Sequence, residues 1–113
     1  VSTYIKDIQK ELGQAERGAA DGHKYQSGKL PGNSFVEYRI DFLAKELAEI
    51  LVIGGLRSNL ELTVFDGNNN AVAGTGDISL SGLCSWTPFS NETHTVRISN
   101  NGSKKASFHL FTN

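Results

Sequence analysis

From Phe35 onward the chain alternates. Over Phe35 to Leu43 it places Val36, Tyr38, Ile40 and Phe42 on one side and Glu37, Arg39 and Asp41 on the other. A period of two with one polar side predicts a strand half-buried against a core. Ala44 to Glu46 reads as a turn, and Leu47 to Ile53 as a more apolar, more enclosed strand closed by Gly54-Gly55. Asn59 to Asp66 alternates again, with Leu60, Leu62 and Val64 facing one way and Glu61, Thr63 and Phe65 the other. Asp66-Gly67-Asn68-Asn69-Asn70 is a strong turn signal before a short returning strand, Ala71 to Ala73, and Gly74 to Asp77 breaks the pattern. Further strands are expected at Ile78 to Leu80, Leu83 to Pro88, Thr93 to Ser99 and Ala106 to Thr112, the last pair turned by Asn100-Asn101-Gly102. In the final strand Phe108, Leu110 and Thr112 alternate with His109, Phe111 and Asn113. The prediction is a mainly β fold: a two-sheet antiparallel β-sandwich or jelly roll of about seven or eight strands.

The first 20 residues have a different period. Ile5, Ile8 and Leu12 recur at helical spacing, with Tyr4 and Ala15 adjoining and Lys6, Asp7, Lys10 and Glu11 opposite. One N-terminal helix is therefore expected, capped by Ser2 or Thr3 and weakened or ended by Gly13. Ala19 to Ser34 is polar and glycine-rich and reads as a loop. The expected organisation is residues 1–34 as helix and polar loop, and residues 35–113 as the sandwich domain.

Composition supports the β reading and narrows the partners. Twelve Gly against two Pro, in a chain of 113 residues, indicates many tight turns in one domain. Eleven basic and twelve acidic residues give a net charge of −1, and Lys104-Lys105 is the densest basic run. That balance excludes a phosphate-neutralising face, so no nucleic-acid partner is expected. No apolar run approaches the roughly 20 residues of a membrane span. The chain starts at Val1 without a signal-peptide pattern and reads as a mature or trimmed product.

Candidate chemistry is sparse. Cys84 is a single thiol between Leu83 and Trp86, so no intrachain disulfide forms, and its neighbours predict a buried small hydrophobe. His23, His94 and His109 have no paired spacing, and no serine sits in a Gly-x-Ser-x-Gly elbow. Asn59, Glu61, Asp66, Asn68 and Asp77 supply the oxygen donors a calcium ion takes, without the spacing of an EF-hand. The plainer reading of Asp66 to Asn70 is a hairpin turn whose side chains cap their own backbone. Tyr25, Phe89 and Phe111 are the candidate exposed aromatics for glycan or protein contact. Asn91-Glu92-Thr93 and Asn101-Gly102-Ser103 are glycosylation sequons in a eukaryotic secretory route and polar turns otherwise.

Three stretches carry a resemblance to a known family. Ser58-Asn59-Leu60-Glu61-Leu62-Thr63-Val64-Phe65-Asp66-Gly67-Asn68 is similar to the Asp-Leu-Asp-Leu-x-Val-x-Asp strand and turn of the bacterial pre-peptidase C-terminal domain. Trp86-Thr87-Pro88, followed by Thr93 to Ile98, resembles that family's Thr-Pro and Tyr-x-Ile-x-Val strand. Asn100-Asn101-Gly102 leading into Phe108-His109-Leu110 resembles its closing hairpin and aromatic last strand. Asn59 and Glu61 stand where the family usually has Asp, and His94 where it has Tyr. The resemblance covers residues 35–113 and implies a secreted or periplasmic accessory module, with calcium in some members and no activity of its own. The leading expectation is thus an exported, non-enzymatic module that binds or positions a protein or polysaccharide partner, with no cofactor. The alternatives are a calcium-stabilised carbohydrate- or matrix-binding domain and, third, a small hydrolase with a triad assembled across the sandwich.

Overall fold

The structure is a computed structural model that describes residues 23–55 and 58–113. Eight strands run in chain order: β1 Tyr25–Leu30, β2 Ser34–Phe42, β3 Ala48–Gly54, β4 Leu60–Phe65, β5 Ala71–Ile78, β6 Ser81–Trp86, β7 Glu92–Asn100 and β8 Ala106–Thr112. They form two four-stranded antiparallel sheets, β2-β7-β4-β5 (sheet A) and β1-β8-β3-β6 (sheet B). Facing sheets ordered 1-8-3-6 and 2-7-4-5 are the jelly-roll form of the sandwich, in which nearly every connection crosses between layers.

The alternation in the sequence is what closes the two layers. Ile40, Phe42, Leu60, Leu62, Val64, Val96 and Ile98 from sheet A meet Ile50, Val52, Cys84, Phe108 and Leu110 from sheet B in one buried cluster. Each such side chain contributes about 1.5–3 kcal/mol relative to exposure. Two buried asparagines hold the chain at its corners. Asn100 donates its amide to the carbonyls of Leu30, Pro31 and Lys104 and accepts the Gly102 N–H. Asn113 accepts the Glu49 N–H and donates to Leu47 O. No buried side-chain polar atom of the described residues lacks a partner.

Three expectations need correction. The fold class loses its helix: the described residues contain strands and no helix. The segment Val1 to Ala20, where the helical period lies, is outside the described residues. Second, the loop expected over Ala19 to Ser34 contains β1, so the sandwich begins at Tyr25 and a boundary at residue 34 cuts through it. Gly28 hid that strand. It faces the core beside Phe108, where an added Cβ would stand 3.1 Å from the ring, so the inward position carries no apolar side chain to read. Third, Gly74 to Asp77 does not break a strand but lies inside β5, whose pairing with β4 shifts register twice. Gly76, at φ 75°, takes the left-handed backbone that such an irregular edge needs.

Candidate functional site

The outer face of sheet A carries the most organised exposed chemistry. On β2 the outward positions are Phe35, Glu37, Arg39 and Asp41, all exposed. The register sets Glu37 opposite Arg97 of β7, and Arg97 opposite Thr63 of β4. Arg97 donates from Nε to Glu37 Oε2 at 2.9 Å, and its Nη2 lies 2.8 Å from the same oxygen. Its guanidinium carbon also lies 4.7 Å from the centroid of the Phe35 ring and 4.8 Å from that of Phe65. Both rings are diagonal neighbours on the flanking strands, within reach of a long side chain. The cation is therefore clamped on three sides, and the planar guanidinium suits stacking as well as hydrogen bonding. Phe35 keeps 56% of its surface exposed. At the end of the same face Thr93 donates its hydroxyl to Asp41.

Two of the histidines, His94 and His109, are engaged with aromatic neighbours. His94 is buried among Phe42 and Trp86, with ring centroids 5.4 Å from each. Its Nε2 accepts the Trp86 indole N–H at 3.2 Å, and its Nδ1 lies 3.3 Å from the Glu92 carbonyl. Both nitrogens are thus spent inside the core, with Nδ1 carrying the proton. The Nδ1 of His109 is hydrogen-bonded to the Tyr25 hydroxyl at 2.7 Å. Among the described residues neither of these two rings hydrogen-bonds a serine, so His94 and His109 form no nucleophile–base pair there. Burial pushes the Cys84 thiol up to about 11, which keeps it protonated and unreactive at neutral pH.

The five calcium candidates do not converge. Glu61 and Asp77 face each other in the β4–β5 register, with Asn59 just before β4. Asp66 and Asn68 follow the other end of β4, so Asn59 and Asp66 stand roughly 20 Å apart at the strand rise. No group of three or more His, Cys, Asp or Glu among the described residues could hold a metal ion. Asp66 instead accepts the N–H groups of Asn68 and Asn70, both at 2.9 Å, which is the self-capped turn. The Asn70 N–H, and then that of Asn68, hold its carboxyl below the ordinary aspartate value. Glu92 is lowered too, first by the Gly67 N–H and then by the Ser90 hydroxyl, and it ties the β4–β5 turn to β7. These residues do not fit one calcium site.

The aromatic candidates divide. Phe89 is 93% exposed on a loop, and Tyr25 is 40% exposed at the edge of sheet B. Phe111 is 1% exposed, which corrects its reading as a surface aromatic. It packs with Ile53 and Leu51 on the outer side of sheet B, and the Tyr25 ring lies 5.0 Å away. Sequence reasoning missed Phe35 as an exposed aromatic, although the alternation that turns Val36 and Tyr38 inward already sets it outward. A depression of about 590 Å³ lies between the β7–β8 turn and the chain before β4, lined by Ser58, Asn59, Asn100 and residues 102–107. The buried amide of Asn100 there is fully engaged by backbone.

With this geometry in hand the fold can be placed. The chain folds as a β-sandwich like that of the pre-peptidase C-terminal domain, in agreement with the sequence resemblance. The solved domain from the collagenase of Bacillus anthracis superposes with a TM-score of 0.71 at 10% identity, covering 80% of this chain and 89% of that one. A periplasmic inhibitor of g-type lysozyme from Aeromonas hydrophila superposes at 0.60, with 13% identity over 85% of this chain and 86% of that one. The Yersinia pseudotuberculosis-derived mitogen superposes at 0.57, with 14% identity over 81% and 85%. No family model matches the chain, and no curated protein matches it in sequence. Among the described residues no helix is long and apolar enough to cross a membrane.

Proposed function

We propose that this chain is a non-enzymatic binding module of the pre-peptidase C-terminal type that works outside the cytoplasm and meets a protein partner with the outer face of sheet A. The observation that carries the reading is the clamped Arg97 between Phe35 and Phe65. Aromatic rings and arginine dominate the energetic centres of protein interfaces. Here they are held in place before any partner arrives, which lowers the ordering cost of association. The fold likeness to a lysozyme inhibitor supports a protein-directed role, and the periplasmic inhibitor supports export.

The test is a binding screen of the full chain against purified envelope and extracellular proteins, with cellulose, chitin and laminarin in parallel. For a protein that binds, Phe35→Ala is expected to weaken affinity at least tenfold, while Leu83→Ala on sheet B leaves it unchanged. Binding that survives Phe35→Ala and is lost with Leu83→Ala would move the site to the other sheet. Binding only to a polysaccharide would overturn the protein-partner reading, and turnover of ester, peptide or glycoside substrates would overturn the non-enzymatic one.

A further inference from the structure

The edges of a sandwich have unpaired backbone groups, and proteins blunt them with very short strands, charged side chains, proline, bulges or inward-pointing charge. Three of the four edges here are irregular or shorter than β2. β5 is bulged against β4, and β1 and β6 have six residues each. β2 differs. It is nine residues long and pairs with β7 along its whole length without a shift, and its other side meets no strand of the described residues. It contains no Pro or Gly, and its inward positions Val36, Tyr38, Ile40 and Phe42 carry no charge.

We propose that the free edge of β2 pairs with β2 of a second copy of this chain, antiparallel about a two-fold axis through Tyr38. Tyr38 is the middle residue of Ser34–Phe42, so this register overlaps the full strand. It sets Glu37 opposite Arg39 of the second copy and Arg39 opposite the second Glu37, and it pairs Val36 with Ile40 on the inner side. Moving the axis to the adjacent outward residues sets Glu37 against Glu37 or Arg39 against Arg39, and like charges directly opposite are unfavourable. The strand is thus self-complementary in the register of greatest overlap, as an isologous interface must be.

The side chains are ready for that role. Arg97 uses Glu37 Oε2, which leaves the other carboxylate oxygen for an incoming guanidinium. Arg39 is exposed and makes no ion pair or hydrogen bond with the described residues. Val36 and Tyr38 are only half-buried and pack on the core from its margin, where the inward side chains of a second β2 would lie beside them. The product is one continuous eight-stranded sheet with both Phe35–Arg97–Phe65 rows on the same side. Such an edge contact is small, so the dimer is expected to form in the micromolar range or above. The proposal does not rest on the partner-binding reading: the dimer either forms or does not, whatever the face binds.

Sedimentation of the full chain over a concentration series is expected to show a monomer–dimer equilibrium. Arg39→Glu should weaken it at least tenfold, and Arg39→Lys should keep it; both changes are at an exposed site and leave the fold intact. Tyr38→Cys is expected to cross-link into a disulfide dimer under mild oxidation, since directly opposed Cβ atoms lie about 4.5–5.5 Å apart. Asp41→Cys should not, because its two copies would stand roughly 20 Å apart in this register. Cys84 is buried and does not compete. A monomer at every concentration, a dimer indifferent to Arg39→Glu, or cross-linking of Asp41→Cys as fast as Tyr38→Cys would each overturn the proposal.

Discussion

The two sheets obey the same alternation and end with opposite exteriors. Outside sheet A the strands show Glu37, Arg39, Asp41, Thr63, Thr95 and Arg97, with Phe35 and Phe65 against the Arg97 guanidinium. Outside sheet B a single register row runs Tyr25, Phe111, Leu51, Leu83 across all four strands. Phe111 in that row is buried, and it packs with the buried Ile53 of the neighbouring row and with Leu51. Period-two patterning therefore decides which side of a strand faces the main core. It does not decide what the other side is for. A polar exterior keeps a sheet soluble and leaves room for a binding surface, whereas an apolar exterior adds a second layer of packing to the stability of the strands.

The sharpest way to break that contrast is to truncate one ring on each side of sheet B. Phe108→Ala, between the sheets, is expected to cost about 3–5 kcal/mol in urea unfolding. Phe111→Ala, on the outer side, should cost nearly as much because its ring is just as buried. A loss below about 1 kcal/mol for Phe111→Ala would show that the outer row packs without holding the fold. The exterior of sheet B would then differ from that of sheet A in composition only.

The same contrast explains what could be read from the sequence. β2, β4 and β7 were legible because one side of each is polar, and the jelly-roll form followed from their spacing. β3 was recognised as enclosed, since Leu51 and Ile53 on its outer side sit among Ile50 and Val52 on its inner side. Phe111 reads as a surface residue in the sequence because its neighbours across the sheet, Tyr25 and Leu51, lie far away in the chain. β1 does not read as a strand, because Gly28 leaves its inward position beside Phe108 without a side chain. The calcium candidates were grouped by residue type within a short stretch, but an extended strand carries its two ends far apart, and that separation dispersed them. The clamp on Arg97 needs three strands in register, a fact of pairing that no local pattern contains.

On sheet A the expected effects are smaller. Arg97→Ala should cost about 1 kcal/mol or less, because exposed cation–π contacts and surface ion pairs each contribute about that much or less. Double-mutant cycles would sharpen the point. The coupling of Arg97 to Glu37 should fade in 1 M salt, while its coupling to Phe65 should persist. Two couplings that fade together would mean that the rings merely border an ion pair. Arg97 would then have no fixed position to offer a partner.

The smallest effect is set by pH and belongs to the turn end of sheet A. Glu92 is held below its ordinary value of 4.5 by the Gly67 N–H and the Ser90 hydroxyl. A carboxyl whose folded value is depressed adds stability that is complete above its unfolded value and is lost as pH falls through the folded one. Asp66, lowered by the Asn70 and Asn68 N–H groups, acts in the same direction. Glu92→Gln should therefore be slightly less stable than the wild type at pH 7, and the two urea midpoints should approach each other as the pH drops below about 4.5. Phe111→Ala has no titrating group to lose, so its deficit should stay constant over the same range. If the Glu92→Gln curve instead runs parallel to the wild type, the tie between Glu92 and Gly67 does not hold the β4–β5 turn to β7. The acid sensitivity of sheet A would then rest on the self-capped turn at Asp66 alone.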